Sequence, residues 1–92
     1  MYKRQDYIIA RKNGNNKVRT TWQPVSGANG YQLKFSTDKK FKKVLKTVMV
    51  KKNVSNATTY VKNKKKTLYI KVRPYQTINK KNVYGRWSYL QL

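Results

Sequence analysis

The sequence predicts an all-β domain built as an antiparallel sandwich of about seven short strands. Three observations support this fold class: apolar residues recur with a period of two, turn-forming residues separate the alternating segments, and no segment has the period of a helix. The chain has 92 residues, which is close to the roughly 100 residues of a seven-strand sandwich. We therefore expect one domain with one hydrophobic core.

The first half of the chain contains two clear strands. Val18, Thr20 and Trp22 fall on one face of the first, which follows turn-like residues 13–16. The second strand follows a Gly-rich turn at residues 26–30 and places three apolar side chains on one face: Tyr31, Leu33 and Phe35. Strict alternation of this kind is typical of strands that bury one face.

The second half predicts four more strands. A β-branched run at 44–50 indicates a strand. The alternation of its residues does not indicate which face is buried. A short strand is expected at 58–61 and the longest at 67–78, followed by a hairpin at 79–82 into a strand at 83–92. The inward face of the longest strand is expected to carry Leu68, Ile70 and Val72.

Charge is the most unusual property of the composition. The chain has 23 Lys and Arg against two acidic residues, for a net charge of +21. Such a charge opposes compaction and raises the affinity for any polyanion, including nucleic acid, anionic cell-wall polymer and anionic lipid surfaces. It predicts a class of partner rather than a fold.

Several function classes are disfavoured by the residues that the chain lacks. The sequence has no Cys, no His and no Glu, so disulfides, the usual zinc ligands and the usual acid–base groups are missing. The acids Asp6 and Asp38 are far apart, and Asp38 is expected to act as a turn residue. We expect a protein without catalytic activity, metal or cofactor.

We expect no export signal at the N-terminus, because the apolar patch at residues 7–10 is too short for one. Two explanations remain open: a cytoplasmic protein, or a domain taken from a longer exported chain. The longest apolar runs are also too short to span a membrane. We divide the chain into an irregular or edge-strand segment at 1–16 and a sandwich at 17–92.

Four separated motifs resemble bacterial fibronectin type III domains, which are immunoglobulin-like sandwiches. Residues 18–22 (VRTTW) and 25–37 (VSGANGYQLKFST) resemble the B and C strands of that family, and residues 69–73 (YIKVR) and 83–88 (VYGRWS) resemble its F–G hairpin. The resemblance implies a non-catalytic spacer or binding module of secreted or wall-attached bacterial proteins. It also implies that Trp22 and Trp87 are core residues.

Two positions depart from the family pattern. Leu68 stands where the resemblance implies a corner tyrosine, which removes the hydrogen bond of that tyrosine. Pro74 lies inside the longest strand, where it cannot donate to the sheet. We expect a bulge or a break in the strand at Pro74.

The candidate binding surface is the outer face of the predicted C, F and G strands. If Leu33, Ile70, Val72 and Trp87 point inward, basic and aromatic side chains point outward together, and Tyr75 joins them beyond Pro74. With the lysines of a neighbouring turn, the candidate polyanion-binding residues are Lys34, Tyr69, Lys71, Arg73, Tyr84, Arg86, Lys64, Lys65 and Lys66. Interleaved cations and rings suit a single-stranded nucleic acid or a sugar-phosphate polymer. The alternative is an ordinary solvated surface.

Two functional hypotheses follow. The first is a monomeric binding or spacer module, secreted or attached to the bacterial cell wall as part of a longer chain, whose cationic surface adheres to anionic polymer. The second is a stand-alone cytoplasmic or phage-encoded protein that binds nucleic acid or a nucleic-acid enzyme complex. The lysine-rich turns support either hypothesis, since a surface built only for solubility mixes both signs of charge.

Overall fold

The computed structural model describes residues 8–12, 14, 16–62 and 67–92, which form eight strands and no helix. The strands are β1 (Ile8–Lys12), β2 (Lys17–Trp22), β3 (Gly30–Ser36), β4 (Val44–Lys51), β5 (Asn56–Tyr60), β6 (Tyr69–Ile78), β7 (Lys81–Tyr84) and β8 (Ser88–Gln91). The predicted all-β class is confirmed. Within these ranges there is no helix that could cross a membrane.

The strands form two antiparallel sheets. A three-stranded sheet has the order β1-β2-β5, and a five-stranded sheet has the order β4-β3-β6-β7, with β8 also paired to β6. β1, which lies in the segment expected to be irregular or an edge strand, pairs with β2 from Ile8 opposite Trp22 to Lys12 opposite Val18. β2 is thus central in the smaller sheet and β6 is central in the larger one.

The core lies between the two sheets and contains the alternating residues of the clearest strands. Its buried hydrophobic members are Val18, Trp22, Tyr31, Leu33, Phe35, Val61, Leu68, Ile70 and Val72. The Trp22 and Tyr31 rings pack at 5.6 Å between centroids, across the interface between the sheets. The Tyr31 hydroxyl accepts a 2.8 Å hydrogen bond from the Val25 amide, which satisfies its polar end. Leu68 is a core residue, as its place in the alternation predicts.

A bulge explains why the buried face of β4 is not apparent from the sequence. The β3–β4 register shifts at Phe35 and Ser36: Phe35 lies opposite Lys46, whereas Ser36 lies opposite Val44. Leu45 is the extra residue between these pairs, and an extra residue reverses the alternation of a strand. Leu45 therefore packs against the core on the same side as Val48 and Val50.

The predicted break or bulge at Pro74 is wrong. β6 runs without interruption from Tyr69 to Ile78, and Pro74 lies opposite Tyr31 in a continuous register with β3. The Pro74 carbonyl accepts a 2.8 Å hydrogen bond from the Gly85 amide, so the edge of Pro74 that lacks N–H faces away from β3. The missing donor thus costs no bond to β3.

The interruption lies instead in the segment that pairs with the other side of β6. β6 pairs with β8 over Tyr69–Val72 and with β7 over Tyr75–Ile78, so the predicted single strand at 83–92 is two strands separated by residues 85–87. The predicted hairpin is present: Asn79 and Lys80 form its two-residue turn with φ angles of 51° and 65°. Two positive φ angles are typical of a type I′ turn, whose backbone twist matches the twist of the two strands that it joins.

Candidate functional site: a ladder of cations and aromatic rings

Strands β3, β6 and β8 bring cations and polar groups together on the outer face of the five-stranded sheet. Lys34 on β3 lies opposite Lys71 on β6, and Tyr89 on β8 lies opposite Lys71 on its other side. Gln32 lies opposite Arg73, and the Arg73 Nε donates a 2.8 Å hydrogen bond to the Gln32 Oε1. Register therefore places two pairs of facing side chains in successive rows on one face of the sheet.

Cations and aromatic rings alternate along this face in an arrangement that we call the aromatic–cation ladder: Phe41, Lys71, Trp87, Arg73 and Tyr84. The Lys71 Nζ lies 4.4 Å from the Phe41 ring centroid and 4.3 Å from that of Trp87. The Arg73 Cζ lies 4.2 Å from the Trp87 centroid and 3.7 Å from that of Tyr84. All four distances lie within the roughly 6 Å range of cation–π attraction. Trp87 is thus the central ring, contacted by both cations.

The expectation that Trp87 belongs to the core is wrong. Trp87 is half-buried and follows β7 in the irregular segment at 85–87, where strand alternation no longer determines the direction of a side chain. Its ring lies beside the outward cations Lys71 and Arg73. The attraction between a cation and the face of an indole ring accounts for this position. Trp22 alone is a core tryptophan.

Aromatic neighbours extend the ladder at both ends. The Tyr89 ring lies 5.8 Å from the Lys71 Nζ and 6.4 Å from the Phe41 ring, edge to face. At the other end, the Tyr75 ring lies 6.1 Å from that of Tyr84. Gly30 lies opposite Tyr75, and a Cβ at Gly30 would overlap both the Tyr75 hydroxyl and the Val50 carbonyl oxygen. Because glycine has no side chain, position 30 leaves room for the Tyr75 ring beside the backbone.

Burial among the rings lowers the pKa values of both central cations. For Lys71 the main cause is desolvation, and the nearby charges of Lys34 and Arg73 lower its pKa further. Desolvation also lowers the pKa of Arg73 from its ordinary value, while Tyr84 opposes this change. Because both ammonium and guanidinium contact rings rather than carboxylates, their positive charge is not neutralised within the ladder.

The loop between β3 and β4 holds Phe41 in its place. The Ser36 hydroxyl donates to the Lys43 carbonyl at 2.7 Å and accepts from the Asp38 amide at 2.9 Å. The Asp38 carboxylate accepts hydrogen bonds from the Lys40 and Lys42 amides at 3.0 and 3.1 Å. These bonds stabilise a left-handed conformation of Phe41, with φ at 55°, which costs a non-glycine residue about 1–3 kcal/mol. The expected role of Asp38 as a turn residue agrees with this geometry.

The same bonds predict a pH dependence of stability. The Lys40 and Lys42 amides hold the pKa of Asp38 below its ordinary value of 3.8. A carboxyl whose pKa is lower in the folded state stabilises the fold above the ordinary pKa, and this stabilisation is lost as pH falls through the folded-state pKa. We expect Asp38→Asn to be less stable than wild type at neutral pH and to lack that acid-dependent loss. Urea unfolding between neutral pH and about pH 2 measures both quantities; an identical pH dependence in both proteins would contradict the prediction.

The structure places the sequence-predicted residues in three groups. Five lie on the outer face of the five-stranded sheet: Lys34, Tyr69, Lys71, Arg73 and Tyr84. Arg86 is exposed between β7 and β8, and the ring contacts described above do not involve it. Lys64, Lys65 and Lys66 lie outside the described residues.

Three ring residues of this face were not among the candidates from the sequence: Phe41, Trp87 and Tyr89. Tyr89 alternates with Leu90 in β8, which is a signal that strand periodicity could have supplied. Phe41 lies in a loop and Trp87 between strands, so neither has a periodic signal. Comparison of the sequence with protein-family models and with curated proteins finds no match.

Proposed function

We propose that this chain is a non-catalytic β-sandwich module that binds anionic polymers through its cationic surface. The observation that carries the proposal is the scarcity of carboxylates among so many cations. Asp38 is the one acidic side chain in the described ranges, and backbone amides already occupy both of its oxygens. Surface lysines and arginines therefore lack acidic partners there, and a polymer of phosphates would supply them.

The fibronectin type III resemblance supports a setting for this binding. The motifs likened to B, C, F and G strands fall in β2, β3, β6 and the β7–β8 edge. β2 pairs with β5 in one sheet, while β3, β6 and β7 follow one another in the other. This order supports the resemblance, because in immunoglobulin-type sandwiches B pairs with E, and C lies with F and G. On this basis we propose a secreted or wall-attached bacterial module that adheres as a monomer to anionic cell-wall polymer.

A second candidate function is the binding of nucleic acid by a cytoplasmic protein. The observation that favours it is the alternation of rings and cations in the aromatic–cation ladder, because aromatic side chains provide stacking surfaces for bases and cations contact phosphates. Tyr84 and Tyr89 are both exposed on this face. A wall polymer without planar groups makes no use of such rings.

The proposal is tested by fluorescence-anisotropy binding to labelled RNA, DNA and poly(glycerol phosphate) across a salt series. We expect binding that weakens linearly on a log–log plot as salt rises. Lys34→Glu, on the outer face of β3, should reduce the magnitude of that slope by about 1 or more. The matched control is Arg19→Glu, which changes an exposed charge on β2 of the other sheet.

Each outcome decides one part of the proposal. Absence of binding to all three polymers at low salt would overturn it. Equal weakening by Lys34→Glu and Arg19→Glu would mean that the five-stranded sheet is not the binding face. Preference for poly(glycerol phosphate) supports the wall setting, and preference for RNA or DNA supports the second candidate.

A further inference from the structure

A groove lies beyond the Phe41 end of the aromatic–cation ladder. Its volume is about 520 Å³, and its walls include Lys39, Lys40, Phe41, Tyr69, Tyr89 and Gln91. This volume falls within the range of roughly 300–1,000 Å³ that ligand sites occupy. Three aromatic side chains from a loop and two adjacent strands therefore surround one concavity.

The exposed ring in this groove is Tyr89. Tyr89 is 62% exposed, more than any other large hydrophobic residue in the described ranges, and lies on the edge strand β8. Phe41 contacts it edge to face and holds one side of the ring. The exposure of Tyr89 leaves ring surface for a flat molecule to contact, and stacking on an aromatic side chain is tolerant of base identity.

The rim of the groove is cationic. Lys39 and Lys40 are exposed in the loop that carries Phe41, and the Asp38 carboxylate in that loop is occupied by the Lys40 and Lys42 amides. The nearby lysines are consequently free of a carboxylate from this loop. Positive charge and aromatic surface thus line the same groove. A nucleotide carries the complementary pair of groups, an anionic phosphate and a planar base.

We propose that this groove binds a base of single-stranded nucleic acid, with Tyr89 stacking on the base and Lys39 and Lys40 contacting its phosphates. The inference rests on the second candidate function, the binding of nucleic acid, and assigns to this groove the contact with a base. A polyol phosphate has the anionic groups but no planar group for the rings. A sugar would find a single side-chain amide, that of Gln91, and no carboxylate among the groove residues named above.

The test compares two labelled probes of equal phosphate number: oligothymidylate and an abasic oligodeoxynucleotide. We expect wild type to bind oligothymidylate about tenfold or more tightly than the abasic probe, because stacking of one base on an aromatic ring increases the affinity by about this factor. Tyr89→Ser should remove most of this preference by weakening the binding of oligothymidylate more than that of the abasic probe. Tyr89→Phe, which keeps the ring, should retain the preference.

A matched control and a second variant of the site separate a site from a general surface effect. Tyr60→Ser removes an exposed tyrosine from β5 of the other sheet and should leave both affinities unchanged. The double variant Lys39→Ala, Lys40→Ala should weaken both probes and reduce the salt slope by about 2, because each lysine that is removed would have neutralised one phosphate. Circular dichroism confirms that each variant is folded.

The outcomes distinguish this inference from the proposed function. Equal affinity of wild type for the two probes, or an unchanged preference in Tyr89→Ser, would overturn the proposed base site in the groove. Either result would leave the proposed binding of polyanions in place. Failure of wild type to bind either probe or poly(glycerol phosphate) would overturn both. Binding of poly(glycerol phosphate) in preference to oligothymidylate would assign the surface to a wall polymer and reject the base site.

Discussion

Trp22→Ala is expected to destabilise the protein by about 3–5 kcal/mol, the usual cost of truncating a buried aromatic residue to alanine. Trp22 is 1% exposed and packs on Tyr31 where the two sheets meet. A domain of this size has a total stability of roughly 5–15 kcal/mol, so the loss removes a large part of it. We expect the melting temperature to fall by at least about 12 °C in a thermal scan followed by circular dichroism.

The control for this variant is Trp22→Phe. It keeps an aromatic ring beside Tyr31, and the Trp22 Nε1 makes no hydrogen bond with the described residues that the change would break. We expect a clearly smaller loss of stability than in Trp22→Ala. A Trp22→Ala protein with the melting temperature of wild type would show that Trp22 is not a core residue and would contradict the sandwich.

Trp87→Ala is expected to destabilise the protein by about 1–3 kcal/mol at low salt, because it removes the cation–π interactions of the ring with Lys71 and Arg73. The ring lies within 4.3 Å of the Lys71 Nζ and 4.2 Å of the Arg73 Cζ. Without it, the two cations and Lys34 face one another with no intervening ring, and their repulsion adds to the loss. Urea unfolding measures the effect without adding salt.

Salt dependence distinguishes this effect from a loss of core packing. Added salt screens the repulsion among exposed cations, so the cost of Trp87→Ala should fall as salt rises. The cost of Trp22→Ala should change little, because the residues that form the core with Trp22 in the described part of the chain are uncharged. Trp87→Phe keeps a ring between the cations and should recover part of the stability. A cost of Trp87→Ala that is independent of salt would refute the role of repulsion.

Strand alternation predicted the core correctly where strands are regular. Val18, Thr20 and Trp22 are all buried on β2, and Leu68, Ile70 and Val72 follow the same pattern at β6. A period of two is read directly from the sequence because successive side chains point to opposite faces. This local rule needs no knowledge of which strands are neighbours.

The aromatic–cation ladder could be predicted only in part, because its contacts depend on register and irregular backbone. Lys71 and Arg73 alternate outward on β6, as expected. Tyr89 reaches Lys71 because β8 pairs with β6, and Phe41 reaches it because Asp38 and Ser36 close their loop. Trp87 was expected in the core because the family resemblance implied it, whereas residues 85–87 separate β7 from β8 and have no alternation that indicates the direction of its ring.

The division of that strand has a consequence for self-association. A sheet edge is a template on which a second chain can add a strand, and long, flat edges promote aggregation. Here the edge beyond β6 offers only the four residues of β7 and the four of β8, separated by residues 85–87. The opposite edge, β4, carries a bulge and the exposed Lys46 and Lys51. Each edge of the larger sheet therefore disfavours the growth of a continuous intermolecular sheet by the addition of strands from other copies.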